Sequence, residues 1–247
     1  ALFKVLKPQL GDKKLSERLF VRMLRRQNFS YLNEDLKGRD IWSNLFEFEK
    51  QNLFDLLEQK QSTKSGKRLN TAVDIKSTNN QSAVLAYKAF YKAASAVSGK
   101  KRKPRIAFIT GNDRDPYKNV DYFQNLFEQL GFEADWLAID SAMQTALVAK
   151  QYDLTSCDSL EEFQIKKLAS YRRKVLYPDL FKQQVSQCKK KDAFIETLKK
   201  SDALFIADGS PLLAFHSFYL PTGEKSELLK KVEKMLIQKQ IILGLEG

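Results

Sequence analysis

The sequence predicts an α/β fold in which a parallel sheet carries helices on both faces, preceded by a mainly helical N-terminal region. Three observations indicate it. An apolar, β-prone run at 105–110 is followed by a helix-like stretch and by a second run at 132–139, which together read as one βαβ unit. Two further apolar runs, at 203–207 and 240–245, are separated by another helical pattern. Such alternation implies parallel strands with helices on both sides of the sheet.

Residues 1–98 form the predicted helical region. From Lys13 to about Gln59 the apolar residues recur at helical spacing, which predicts helix through this stretch. The sequence then turns polar as far as Gln81, which predicts loops. An alanine-rich segment at 82–97 predicts a further helix that stops at Ser98-Gly99.

Residues 99–247 form the predicted α/β domain. A family resemblance of this part of the chain implies that the domain is incomplete at its C-terminus. Its first strand opens onto the polar loop 111–116, and a helix over 117–130 ends at Gly131 before the second strand. The charged stretch 159–200 is predicted to be mostly helical, with an interruption at Tyr177-Pro178. After the third strand comes the loop 208–211, and a helix over 226–238 leads into the fourth strand.

Charge and composition restrict the classes of function. Lys and Arg total 42 against 30 for Asp and Glu, and the resulting charge of +12 favours an anionic partner. Because the excess is spread along the chain, a basic solvated surface is the more ordinary interpretation. Nucleic-acid binding rests on charge alone, since the aromatic residues fall mostly at core-like positions. No apolar run reaches 18 residues, so no transmembrane helix is predicted.

Cysteine and histidine are too few for a metal site. Cys157, Cys188 and His216 are the only residues of these types, so neither a metal site nor a cofactor is expected. The two cysteines are compatible with a disulfide or with free thiols, and the count does not decide the compartment. The start at Ala1, without methionine, is compatible with removal of a signal peptide, so a secreted or periplasmic location stays open.

The candidate binding residues follow the predicted strands. In open parallel sheets, ligands bind beyond the carboxyl ends of the strands, near the point where strand order reverses. This rule selects the loops 111–116, 208–211 and 244–247. In the first, Gly111 and Asn112 are candidates, because the helix behind them can present backbone amides to an anion. The alternative is an ordinary strand-to-helix turn in which Asp or Asn caps the helix.

The second loop contributes Asp208, Gly209 and Ser210. Gly209 lets a backbone amide approach a ligand or a developing oxyanion, although the Pro that follows Ser210 is also simply a good first helical residue. His216, a few residues on, is a candidate general base, but a lone histidine among apolar residues is more often a packed side chain. No serine or cysteine in the chain is identified as its nucleophilic partner.

Residues 100–247 resemble the peptidase family that contains cyanophycinase and the aspartyl dipeptidases, flavodoxin-like folds of the class I glutamine-amidotransferase-like group. The resemblance lies in three segments: Pro104-Arg-Ile-Ala-Phe-Ile-Thr-Gly-Asn-Asp-Arg-Asp-Pro, Tyr122-Phe-Gln-Asn-Leu-Phe-Glu-Gln-Leu-Gly and Lys200-Ser-Asp-Ala-Leu-Phe-Ile-Ala-Asp-Gly-Ser-Pro-Leu-Leu. The last segment keeps only the second glycine of the family's Gly-Gly-Asp-Gln turn, and it departs from the family's substrate and oxyanion contacts at Asp208, Ser210 and Pro211.

The resemblance implies a serine-type hydrolase that acts on amide or peptide bonds. The family's nucleophile lies in Gly-Thr-Ser-Ala-Gly, directly after a strand that corresponds to 239–247. That motif is absent: either Glu246 stands where serine is expected, or Gly247 is the glycine before it and the serine belongs to a second, C-terminal part, released by processing. The family's histidine follows its serine, so His216 does not inherit the role. The alternative is an inactive relative that serves as a binding or scaffold module.

Overall fold

The N-terminal part of the chain forms a small unit with its own apolar core. In this computed structural model the described residues are 15–31, 34–99, 102–153, 155–190 and 192–245. The elements of this unit, the N-terminal unit below, are α1 (Glu17–Arg26), β1 (Asn28–Tyr31), β2 (Glu34–Lys37), α2 (Gly38–Asn44) and α3 (Glu47–Leu57). Its buried core consists of Phe20, Leu24, Phe29, Trp42 and Leu53.

The prediction of continuous helix over 13–59 is wrong at β1 and β2, which form an antiparallel pair. Phe29 and Leu36 lie opposite each other in this pair, and both pack into the apolar core of the unit. Gly38 then allows a close turn, because a Cβ there would lie 1.8 Å from the Leu24 carbonyl oxygen. The reason for the difference is that each strand has only four residues, so its alternation of apolar and polar residues is short. Apolar residues at helical spacing lie on both sides of this segment, and they made the whole stretch look helical.

A four-stranded parallel sheet forms the centre of the second part, as the alternation predicts. Its strands are β3 (Arg105–Ile109), β4 (Glu133–Trp136), β5 (Ala203–Ile206) and β6 (Ile242–Leu245). They lie in the order β4-β3-β5-β6, and every neighbouring pair is parallel. The protein is therefore α/β, with its strands close to the predicted positions.

Helices lie against both faces of this sheet. The predicted helix α4 (Gln81–Val97) and α5 (Val120–Leu130) cover one face, where Phe205 contacts Phe90, Phe123 and Phe127. The alternate residues Ala107 and Leu204 are fully buried, and α10 (Ala193–Lys200) lies next to β3. Burial of both faces explains why the two central strands, β3 and β5, are continuous apolar runs.

The long connection between β4 and β5 is helical, as predicted for 159–200. It contains α6 (Ser141–Ala149), α7 (Leu160–Leu168), α8 (Arg173–Leu176), α9 (Pro178–Lys189) and α10. α9 begins at Pro178, the predicted interruption, and α6 is an additional helix capped by Asp140. The two cysteines form a disulfide that joins the turn before α7 to the end of α9. The remaining helices are α11 (Pro211–Phe218) and α12 (Glu227–Ile237). None of the described helices has the length and apolarity needed to span a membrane.

Candidate functional site

The strand order reverses between β3 and β5. From β3 the chain first adds β4 on one side, then crosses to add β5 and β6 on the other side. In open parallel sheets the crevice at such a point, beyond the carboxyl ends of the strands, is where ligands bind. The two loops that line it are 110–116, which we call the β3 loop, and 207–211, which we call the β5 loop.

The β3 and β5 loops contact each other through predicted site residues. The Asn112 carbonyl accepts a hydrogen bond from the Ser210 amide at 2.8 Å, and Asn112 Nδ2 donates to the Ala207 carbonyl at 2.8 Å. Gly209 lies so close that a Cβ on it would be 2.3 Å from the Asn112 carbonyl oxygen. The structure therefore brings Asn112, Gly209 and Ser210 together, and glycine is required for this approach.

Gly111 is held between two other elements. A Cβ there would lie 1.9 Å from the Ile139 carbonyl oxygen, in the segment that follows β4. On its other side, Ser217 Oγ of α11 donates to the Gly111 carbonyl at 3.3 Å. Gly111 is thus buried and serves the packing of the β3 loop against the segment after β4 and against α11, rather than presenting its own backbone to solvent.

Backbone amides predicted to face a ligand are satisfied within the chain. The Gly209 amide donates to Asp208 Oδ1 at 2.7 Å, and Ser210 Oγ accepts from the Leu213 amide as the N-cap of α11. In the β3 loop, Asp115 Oδ1 accepts from the Tyr117 amide at 3.1 Å. The β5 loop is therefore a self-capped turn in this conformation, with Ser210 as the helix cap. In the β3 loop Asp115 stabilises a local turn, but the cap of α5 is Asn119, whose side chain makes no capping hydrogen bond, so the expected capping by an Asp or Asn of this loop is not found.

One buried polar atom in the crevice has no partner. Asn112 is 5% exposed, and its Oδ1 makes no hydrogen bond within the part of the chain that the structure describes. Ser141 Oγ, on the first residue of α6, is likewise buried and without a partner there. Buried polar atoms are usually paired, so such atoms are uncommon. Gln164 Oε1 and Ser170 Oγ are two more of them among the described residues.

The remaining predicted residues do not assemble a nucleophile and base. His216 is exposed on α11, where its ring contacts Phe215, and no hydrogen bond joins it to a described serine, cysteine or carboxylate. Cys157 and Cys188 are consumed by the disulfide, so neither supplies a thiolate. Glu246 and Gly247, which flank the expected place of the nucleophile, lie outside the described residues.

A cluster of charged side chains that includes two residues of the β3 loop escaped the sequence analysis. We call it the junction cluster, and its members are Asp55, Glu58, Arg114, Asp115 and Arg173. Arg173 is only 1% exposed and pairs with all three carboxylates. Burial raises the pKa of Asp115 to about 6, although the positive charge of Arg173 opposes this shift. Its members are far apart in sequence, so no local pattern could have indicated the cluster.

A second buried polar group lies behind the crevice. Gln184 Nε2 donates to Asp140 Oδ2 at 2.8 Å, and Gln184 Oε1 accepts from Tyr117 and Gln164. Burial raises the pKa of Asp140 to about 6, and the hydrogen bond from the Met143 amide is the largest opposing cause. This network fixes α6, α7 and α9 around the end of β4.

Within the described ranges, no group of three or more His, Cys, Asp or Glu side chains is arranged to hold a metal ion. Comparisons of the chain with protein-family models, with curated proteins and with solved structures found no match.

Proposed function

We propose that the protein is part of a serine-type hydrolase that acts on amide or peptide bonds, with its reaction centre at the carboxyl edge of β3, β5 and β6. The nucleophilic serine belongs, in this proposal, to the segment that follows β6, on the same chain or on a processed second chain. The proposal includes a flavodoxin-like fold. It is supported by the strand order, because the four strands in order of appearance lie as 2-1-3-4, the start of the flavodoxin-like order.

The observation that carries the proposal is the register of β6. Leu245 pairs with Ile206, so both strands end at the same edge and the chain leaves β6 beside the β5 loop. A nucleophile on a tight turn after a parallel strand needs a backbone amide within reach to bind the oxyanion. Gly209, in the neighbouring loop, supplies such an amide.

The mechanism requires one local change in the β5 loop. The serine hydroxyl gives its proton to a general base, which in this proposal also follows β6, and its oxygen attacks the carbonyl carbon. The C–N bond breaks as the leaving amine takes up that proton, and water then hydrolyses the acyl-enzyme and restores the serine hydroxyl. During the attack the Gly209 amide has to turn from Asp208 Oδ1, its present acceptor, to the oxyanion. The Asp208 carboxylate is exposed, so water can replace that hydrogen bond.

A fluorophosphonate probe tests the proposal on the natural full-length protein. We expect labelling of one serine shortly after the β6 sequence, located by peptide mapping, and loss of labelling after heat denaturation. A folded protein that stays unlabelled, or a label on a serine elsewhere in the chain, would contradict the proposal.

The second candidate is an inactive relative that binds a ligand at the same crevice. It is favoured by the self-capped Gly209 amide and by the lack of a nucleophile and base pair among the described residues. Absence of labelling in the folded protein is the result expected for this candidate.

A further inference from the structure

The N-terminal unit joins the α/β part through charged groups. The apolar core of the unit is separate from the large core around the sheet, and α1 to α3 contribute no residue to the latter. Across the boundary, Asp55 and Glu58 face Arg114 and Arg173 of the α/β part. The junction cluster is therefore the principal polar connection between the unit and the edge of the sheet that carries the candidate site.

Asp55 is the centre of this connection. Its two carboxylate oxygens accept hydrogen bonds from both terminal nitrogens of Arg114, each at 2.7 Å, and one of them also accepts from the Tyr171 amide at 3.0 Å. Arg173 Nη2 lies 3.3 Å from its other oxygen. The Asp55 side chain is 5% exposed. A buried carboxylate with this many charge-assisted hydrogen bonds has a fixed position and fixes its partners.

The cluster holds the β3 loop from outside. Arg114 belongs to that loop, and Arg173 also pairs with Asp115, the next residue in it. Both positions lie within three residues of Asn112, whose backbone and side chain bind the β5 loop. The β3 loop is thus clamped on one side by the N-terminal unit and on the other by the β5 loop.

We propose that Asp55 is a positioning residue of the candidate site: through Arg114 and Arg173, the N-terminal unit holds the β3 loop in the conformation that presents Asn112 to Gly209. The inference rests on the proposed function only for the identity of the site, because the loop conformation is measurable without any activity. A purely structural role would instead stabilise the fold as a whole.

Hydrogen exchange of the full-length protein distinguishes the two roles. In Asp55→Asn we expect hydrogen exchange at least tenfold faster at the Tyr117 and Ser210 amides. The Tyr117 amide donates to Asp115 of the β3 loop, and the Ser210 amide donates from the β5 loop to the Asn112 carbonyl. Exchange in β3 and β5 should stay unchanged. The control is Asp40→Asn, an exposed carboxylate of the same unit whose described ion pair is with its neighbour Arg39.

A second readout is the titration of Asp115 by NMR. The negative charge of Asp55 is among the causes that raise the pKa of Asp115, and Asp55 also shares Arg173 with it. We therefore expect Asp55→Asn to lower the pKa of Asp115, and Asp40→Asn to leave it unchanged. Glu58→Gln, which removes a half-exposed partner of Arg173, serves as a milder variant if Asp55→Asn does not fold.

Two results would overturn the inference: unchanged exchange at Tyr117 and Ser210, or faster exchange by the same factor in β3 and β5. Failure of the proposed function is distinguishable, because fluorophosphonate labelling and loop exchange are measured separately. If the protein stays unlabelled but its β3 loop opens in Asp55→Asn, the positioning role of Asp55 is supported and only the hydrolase proposal is contradicted.

Discussion

At the scale of single residues, close backbone approach decides where the loops of the crevice lie. Gly111 and Gly209 have no space for a Cβ, because carbonyl oxygens of Ile139 and Asn112 occupy the place where it would be. Gly223, by contrast, has a positive φ of 84° with no neighbour within 4 Å of such an atom. Glycine thus serves close contact at Gly111, backbone conformation at Gly223, and both at Gly209, whose φ is also positive at 157°.

This difference predicts unequal effects of one substitution. Gly209→Ala should lower the free energy of unfolding by about 2 kcal/mol or more, because the new methyl group overlaps the Asn112 carbonyl and forces the two loops apart. Gly223→Ala should cost only about 1 kcal/mol, since the strain there is limited to the backbone. Urea denaturation of both variants measures the difference. Equal losses would show that the Asn112 contact has no energetic weight.

At the scale of elements, the sequence predicted the sheet well and the N-terminal unit less well. The strands β3 and β5 are continuous apolar runs that both end at a polar turn, so pattern alone locates them. The hairpin strands β1 and β2 are as short as β5, but their apolar residues are interrupted by polar ones, and this short alternation does not stand out between helices. α6 was missed because Asp140 is followed by small and apolar residues without a clear face, and its burial depends on tertiary packing.

For the candidate site, the sequence predicted which residues lie in each loop, but not the contacts between residues that are distant in sequence. Asn112 and Gly209 follow strands, and the rule for parallel sheets selected them before their contact was known. The junction cluster could not be predicted, since Asp55 and Arg173 meet only when the N-terminal unit docks on the sheet. The orientation of the Gly209 amide depends on a side-chain rotamer of Asp208, which sequence patterns do not determine.

The disulfide is an element-scale constraint with a measurable energy. Cys157 and Cys188 are 31 residues apart and both fully buried, and they tie the α6–α7 turn to α9. Replacing both by alanine should lower the free energy of unfolding by about 3 kcal/mol, chiefly because the unfolded chain gains conformational entropy when the cross-link is removed. Urea denaturation with and without dithiothreitol measures it, and the double variant, insensitive to reductant, is the control. A reduced wild-type protein as stable as the oxidised one would contradict this prediction.

At the scale of the whole molecule, two apolar cores are connected by a cluster of charged side chains, and one member of that cluster, Asp115, has a raised pKa. Asp115 lies at the junction of the cores and Asp140 behind the crevice, and burial raises the pKa of each to about 6. Asp179 is different, because its hydrogen bond with Arg68 lowers its pKa. The pH dependence of folding therefore combines two opposite signs.

For Asp115 and Asp140 the folded state binds protons more tightly than the unfolded state, whose carboxyl pKa is near 3.8. Their contribution to stability is fully present below that value and is lost as the pH rises through about 6. Asp179 contributes above its unfolded pKa and loses its contribution at lower pH. The free energy of unfolding should therefore fall from roughly pH 4.5 to about pH 6 and then level off towards pH 7.5, by about 2 kcal/mol for each raised group.

Urea denaturation across this range at constant ionic strength measures the slope, and Asp115→Asn should reduce it by about half, because one of the two raised groups no longer titrates. The slope, rather than the absolute stability, is the readout, since the variant also deprives Arg173 of a counter-ion. A slope that Asp115→Asn leaves unchanged would mean that the positive charge of Arg173, and not burial, dominates the titration of Asp115. In that case Asp115 would be ionised throughout this range, and the junction cluster would be a fully charged connection between the two cores.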